Sequence, residues 1–273
     1  MSTAEKYSAL LARITELKSV LVAYSGGIDS TLLAFAAHAA LGDRTAAVLA
    51  SSNTYPEREC EGARELAAML GFHLLEVETS ELADPAFAAN APDRCYHCKT
   101  ELFGLLARVA DRHGLAYVAD GSNFDDGSDH RPGRLAARGM GVVSPLAEVG
   151  LTKAEIRELA RELGLPNWDK PSMACLASRF PYGERITDDG LERVAAAEDA
   201  LIDLGIAQFR VRAHGDVARV EIAPTELDAS WGLRSQIAQA VRRAGFTYAS
   251  IDLDGYRSGS MNEVLSAEER AEG

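Results

Sequence analysis

The run Tyr24-Ser25-Gly26-Gly27-Ile28-Asp29-Ser30 holds the residue types that phosphate chemistry needs. Two glycines let the backbone turn tightly and approach a ligand with no Cβ in the way. Their amides, with those of a following helical turn, lack intrahelical acceptors and can hold an anion, aided by the helix dipole. Asp29 stands where a metal ion would be met, and Ser30 where a phosphate oxygen would be. The run lacks the Lys-Ser/Thr pair that closes G-x-x-x-x-G loops, and it is not G-x-G-x-x-G.

A second group is Cys95-Tyr96-His97-Cys98, with Cys175 the further cysteine in a motif-dense stretch. A single C-x-x-C can be a redox pair, half a metal site or chance. It is not expected to open a helix after a strand, as a thioredoxin-type pair would, and the predicted helix begins at 100. Three thiolates suit an iron–sulfur cluster with one open iron. Three cysteines with His97 would suit zinc, and Cys175 could also act alone as a nucleophile. Cys60, inside a predicted helix, reads as an ordinary helix residue. Basic residues surround these thiols: Arg94 and Lys99 flank the pair, and Lys170 and Arg179 flank Cys175. Arg210 and Arg212 alternate on a predicted strand and share a face, and arginine forks suit phosphate. Arg131, Arg134 and Arg138 read as a loop over the pocket or as its solvated rim.

Positioning these groups requires a regular scaffold. Apolar periodicity predicts helices over 4–18, 30–41, 57–70 and 100–112, and strands over 19–24, 45–50, 74–78 and 115–119. Alternating strands and helices predict an α/β fold with a parallel sheet covered on both faces. Ligands then bind at the carboxyl ends of the strands, where Ser25–Ser30, Ser51–Asn53 and Gly121–Asn123 fall. Residues 124–150 read as loop. Thr152-Lys153-Ala154-Glu155 reads as a capping box opening a helix to about 163. Beyond an irregular stretch, a helix over 188–204, a hairpin of strands 209–213 and 217–222, a helix over 233–244 and a strand over 247–253 predict a smaller α+β domain. The boundary is placed so that 1–170 and 171–273 form two domains. The charged tail after Ser266 is expected to fray.

At 273 residues the chain can support two cores, and 47% hydrophobic with 25% charged residues is a globular composition. A net charge of −13 argues against a nucleic-acid partner. No apolar run is long enough to span a bilayer and no signal-peptide core is seen at the start. A cytoplasmic location is therefore expected, where cysteines stay reduced or bind metal.

Ser-Gly-Gly-x-Asp-Ser between strand and helix resembles the PP-loop of the N-type ATP pyrophosphatases. Arg94-Cys95-Tyr96-His97-Cys98-Lys99, Arg131-Pro132-Gly133, Ser144-Pro145-Leu146, Trp168-Asp169-Lys170-Pro171, Ala174-Cys175-Leu176-Ala177-Ser178-Arg179 and Phe209-Arg210-Val211-Arg212 carry the likeness further. Over about 15–255 the chain resembles the LarE family, pyridinium-3,5-biscarboxylic acid mononucleotide sulfurtransferases. The resemblance implies a PP-loop (adenine nucleotide alpha hydrolase-like) domain over 1–170 and a substrate-binding and sulfur-transfer domain over 171–273. It implies ATP and Mg²⁺ as co-substrate and cofactor, with Ser25, Gly26, Gly27, Asp29, Ser30, Ser51, Asn53 and Gly121 around the nucleotide and Lys99 near the α-phosphate. ATP adenylates a carboxylate of the pyridinium mononucleotide, and sulfur then displaces AMP. Two rounds supply the sulfurs of a nickel-pincer nucleotide, so other enzymes of that cofactor's biosynthesis are implied partners. Arg179, Arg210 and Arg212 match the substrate-phosphate site. The sulfur comes either from Cys175 itself or from a [4Fe-4S] cluster on Cys95, Cys98 and Cys175. Ala213 departs from the pattern, which commonly has histidine after the second arginine. A homo-oligomer is expected. The competing functions are tRNA thiolation, which the acidic balance disfavours, and a regulatory protein that binds ATP without turnover.

Overall fold

The computed structural model describes residues 1–128, 132–171, 174–257 and 259–266. Arg131 and the tail after Ser266 lie outside the described residues. In chain order the elements are α1 (Thr3–Leu17), β1 (Val20–Tyr24), α2 (Ile28–Leu41), β2 (Thr45–Ser51), α3 (Glu57–Leu70), β3 (Leu74–Glu78), α4 (Pro85–Ala88), α5 (Arg94–Arg112) and β4 (Tyr117–Ala119). There follow α6 (Pro132–Gly139), α7 (Pro145–Glu148), α8 (Lys153–Glu162), α9 (Asp188–Asp203), β5 (Phe209–His214), β6 (Val217–Ile222), α10 (Pro224–Gly232), α11 (Arg234–Arg243) and β7 (Tyr248–Ile251). Among the described residues no helix is long and apolar enough to cross a membrane.

The described residues divide into two compact units, one drawn from 1–79 and 95–171, the other from 80–94 and 174–266. The first is built on a parallel sheet ordered β3-β2-β1-β4. Alternation on β1 sorts its side chains between two cores. Val20, Val22 and Tyr24 pack with α1, α2 and α8, whereas Leu21 packs with Leu102, Phe103 and Leu106 of α5. Both faces are thus covered, as a parallel sheet requires. The ends of α3 and α8 follow local rules. Gly71 closes α3 in the left-handed region at φ 71°, and the Thr152–Glu155 capping box forms in full.

The second unit has a three-stranded sheet ordered β5-β6-β7. β5 and β6 are antiparallel, and β6 and β7 parallel. Residues 80–94, expected in the first domain, group with this unit, because side chains tie them there. Asn90, fully buried, donates to the carbonyls of Phe180 (3.3 Å), Pro181 (2.7 Å) and Glu184 (3.1 Å). Arg94 donates to Asn90 and to the carbonyl of Ala177 (2.9 Å).

Two expectations are corrected. α5 begins at Arg94 rather than at 100, so Cys95 and Cys98 lie in its first turns, in a helix that follows α4 and not a strand. Residues 124–150 are not all loop, since α6 and α7 start at Pro132 and Pro145. Both are short and proline-led, and proline suits the first position of a helix although it also marks loops.

Candidate functional site

In the first unit β1 lies between β2 and β4, so the loops after all three strands open at one edge. Gly26 takes φ +69°, and Gly27 caps α2. The turn is stapled from within. Ser30 Oγ donates to the Gly27 carbonyl (3.0 Å) and accepts the Ser25 amide (3.2 Å), and Thr31 Oγ1 donates to the same carbonyl (2.9 Å). The Ser25 and Ser30 hydroxyls lie 3.2 Å apart. From behind, Asn167 Nδ2 donates to the Gly26 carbonyl and to Thr31 Oγ1, both at 3.0 Å. Asn167 is 8% exposed, and its own carbonyl oxygen has no partner among the described residues. On another side Tyr24 donates to the Ala63 carbonyl (3.1 Å), and burial pushes its phenol up to about 12.

Asp29, in the first turn of α2, is gripped from two directions. Asn123 Nδ2 donates to Oδ1 (3.2 Å), and the Lys153 ammonium pairs with Oδ2. Gly121 lies against the start of α2, where a Cβ would come within 3.0 Å of the Ser30 nitrogen. Its role in this structure is therefore close approach. Ser51 ends β2, where its carbonyl accepts the Thr79 amide (3.0 Å), and Asn53 follows it. Lys99 has other neighbours. It lies 5.5 Å from the Phe103 ring centre and packs on Gly133, where a Cβ would sit 2.8 Å from its Cγ.

Magnesium is usually held by one or two carboxylates together with phosphate oxygens. Asp29 fits that need: it is a single oriented carboxylate at a helix start, among hydroxyls and amides suited to phosphate. A three-thiol cluster finds only part of its set here. Cys95 is exposed and Cys98 half-buried, three positions apart on one side of α5. Cys175 belongs to the second unit. Among the described residues no three His, Cys, Asp or Glu side chains are gathered as for a metal. No disulfide joins the four cysteines, and burial pushes the Cys60 thiol up.

In the second unit the arginines form a buried group. Arg179 has no exposed surface. Its fork grips Glu198 of α9 at 2.9 and 2.8 Å, and its other arm donates to the carbonyls of Ala174 (2.8 Å) and Cys175 (3.1 Å). Glu198 also accepts the Val211 amide (2.9 Å), which ties the Cys175 turn to β5. Arg210 and Arg212 share a face of β5, both nearly buried. Arg212 donates to Glu221 (2.8 Å), the Ser178 carbonyl (2.7 Å) and Ser260 Oγ (3.1 Å), while its Nε is buried with no partner among the described residues. Arg210 lies 5.1 Å from the Tyr256 ring centre, and burial, then the nearby Arg179 charge, lowers its pKa. Three buried guanidinium groups thus face the two carboxylates of Glu198 and Glu221; Arg179 is fully engaged, and the unmatched positive charge lies on the Arg210–Arg212 side, where a guanidinium fork suits an anion.

Lys153, Asn167, Glu198 and Glu221 carry no motif signal as candidate site residues. Lys153 reads locally as an ordinary residue behind a capping threonine, and Asn167 as part of an irregular stretch. Their partners lie 124 and 141 positions away.

The model of the NAD synthase family matches residues 9–102, the stretch that carries the glycine turn. An uncharacterised protein of Synechocystis sp. is 44% identical over 256 residues, covering 92% of this chain and 94% of that protein. The glutamine-hydrolyzing GMP synthase of Ruegeria sp. is 30% identical over 228 residues, covering 72% of this chain and 41% of that protein. The pyridinium-3,5-bisthiocarboxylic acid mononucleotide synthase of Lactiplantibacillus plantarum is 38% identical over 264 residues, 96% of either chain. A likeness that runs nearly end to end, through the glycine turn, the cysteine pair and the arginine strand, places the chain in the LarE family.

Proposed function

We propose that this protein uses ATP to activate the carboxylates of a pyridinium-3,5-biscarboxylic acid mononucleotide and replaces the activated oxygen with sulfur. The observation that supports it most is Asp29, held by Asn123 at the mouth of the Ser25–Ser30 turn in a chain alike end to end with a bisthiocarboxylate synthase.

The turn receives the phosphates of ATP. Ser25 and Ser30 exchange their internal hydrogen bonds for phosphate oxygens, Asp29 would hold Mg²⁺, and Ser51, Asn53 and Gly121 border the nucleotide. Mg²⁺, once bound there, supplies charge neutralisation at the phosphates. A substrate carboxylate oxygen attacks the α-phosphorus. The bond from that phosphorus to the bridging oxygen breaks, and its electron pair leaves with pyrophosphate. Lys99 steadies the charge on the α-phosphate. In the second unit Arg210 and Arg212 take the phosphate of the substrate, and Arg179, already saturated, holds the turn that presents Cys175. The Cys175 sulfur then attacks the acyl carbon as AMP departs with the carbon–oxygen electron pair. Loss of a Cα proton to a base breaks the Cβ–S bond, leaving a thiocarboxylate and dehydroalanine. A [4Fe-4S] cluster, whose chemistry would be to carry a sulfide and spare the protein's own sulfur, would need Cys95, Cys98 and Cys175 together, a set that is not gathered among the described residues.

The test is an incubation with ATP, Mg²⁺ and the biscarboxylated nucleotide after purification without oxygen. Pyrophosphate, AMP and a thiolated nucleotide are expected. Absence of both pyrophosphate and thiolated product refutes the proposal. Intact mass after one turnover separates the sulfur sources. A chain lighter by the elements of hydrogen sulfide gave up Cys175, whereas an unchanged mass with about four irons per chain marks the cluster.

A further inference from the structure

For stability alone, Asn167 is a poor choice of residue. It is 8% exposed, and its side-chain carbonyl has no partner among the described residues. A buried polar group left unpaired is destabilising, and a leucine of similar shape would leave none. The segment that carries Asn167 is nevertheless firmly held. Leu165, two positions earlier, is buried in the same core as α2. The backbone carbonyl of Asn167 accepts the Lys170 amide (3.1 Å), and the Lys170 ammonium pairs with Glu59 of α3 (2.7 Å). From this support the Asn167 side chain brings its Nδ2 to the Gly26 carbonyl and to Thr31 Oγ1.

What Asn167 holds decides what the next residue offers. A peptide is planar and trans, so a carbonyl and the amide that follows it point in opposite directions. Between two glycines no Cβ fixes which way the peptide plane faces. Asn167 does so here. With the Gly26 carbonyl held inward, the Gly27 amide is turned the other way, where among the described residues it meets only Ser25 Oγ, at 3.4 Å. The next plane is set alike, since Ser30 Oγ and Thr31 Oγ1 hold the Gly27 carbonyl. Thr31 Oγ1 is itself a partner of Asn167, so one side chain bears on both planes. We propose that Asn167 is a positioning residue that sets the polarity of the Ser25–Ser30 turn, so that successive amides rather than carbonyls face the phosphates of ATP. With the first peptide turned over, the Gly26 carbonyl oxygen would meet the phosphate oxygens and repel them. This rests on the turn being the place where ATP binds.

Asn167→Leu tests it by keeping the shape and removing the donor. Titration calorimetry with ATP and Mg²⁺, without the second substrate, should show binding about tenfold weaker, the size of one hydrogen bond to a charged group. Adenosine carries no phosphate, and by saturation-transfer NMR its affinity should stay within about twofold of the wild type. The thermal midpoint should stay within about 4 °C, because the unpaired carbonyl leaves together with the donor. Asn167→Ser, whose hydroxyl is one bond shorter than the amide, carries the same expectation for ATP and adenosine if the leucine variant does not fold. ATP affinity within about twofold of the wild type, or an equal loss for ATP and adenosine, overturns the role of Asn167. Wild-type protein that binds no ATP overturns the reading of the turn together with it.

Discussion

Gly26→Ala probes the shape of the Ser25–Ser30 turn without altering any charge. Two costs add at this position. At φ +69° an L side chain sits in the left-handed region, a penalty of about 1–2 kcal/mol. The new methyl would also stand 2.7 Å from Ala63 Cβ and 3.0 Å from Ala63 Cα, well inside contact. Ala63 cannot retreat easily, since it is fully buried in α3 and Tyr24 holds its carbonyl. Overpacking of this kind costs about 1–3 kcal/mol. Together the substitution should destabilise the protein by about 2–5 kcal/mol, read as a lowered urea midpoint at unchanged slope. A second variant separates the two costs. Ala63→Gly removes the atom at 2.7 Å and carries its own helix penalty of about 1 kcal/mol. The Gly26→Ala/Ala63→Gly pair should therefore show a favourable coupling of about 1–3 kcal/mol. A single variant within about 0.5 kcal/mol of the wild type, the usual spread for substitutions away from special sites, would refute the geometry. Loss of stability without coupling would refute the steric part alone.

Two further outcomes follow from pairs elsewhere. The Lys6 hydrogen bond, with the Thr152 amide, holds the Glu155 carboxyl below its ordinary value of 4.5. A carboxyl lowered by folding stabilises above its unfolded pKa and loses that contribution as pH falls through its folded value. Glu155→Gln should then cost up to about 1 kcal/mol at pH 7, a gap that closes below pH 4.5; denaturation at pH 7 and pH 3 with an equal gap would contradict this. Arg179→Lys keeps the charge but loses the fork on Glu198 and the grip on the Cys175 turn. Breaking so buried a pair should cost about 3–5 kcal/mol and quicken alkylation of Cys175. A thermal midpoint and alkylation rate equal to the wild type would show that the fork does not hold that turn.

Much of the scaffold was legible in sequence because its signals are local. A β-branched run before Gly26-Gly27 and an apolar helix after it fixed β1, the turn and α2. Gly71 and the Thr152–Glu155 box likewise mark helix ends with residues that satisfy backbone groups a few positions away. The Asp-, Gly- and Arg-rich composition of 124–150 read as loop, although Pro132 and Pro145 start short helices within it. The stretch around Cys95 and Cys98 looked irregular, although α5 already runs through it. Residues 80–94 carry no periodic signal of their own, and what assigns them is the side-chain bonding of Asn90 and Arg94.

Sequence alone determined that a strand must run into a glycine turn and that two arginines must share a strand face, since both follow from neighbouring residues and the two-residue repeat of a strand. Tertiary structure alone decided which side chains close on those features. The strand order β3-β2-β1-β4 brings Gly121 and Asn123 to the start of α2, and α8 delivers Lys153 to Asp29 across 124 positions. In the other unit packing of α9 on β5 turns Arg179 inward onto Glu198. Local propensity has no term for partners so remote, because the bonds that select them exist only after the chain has folded.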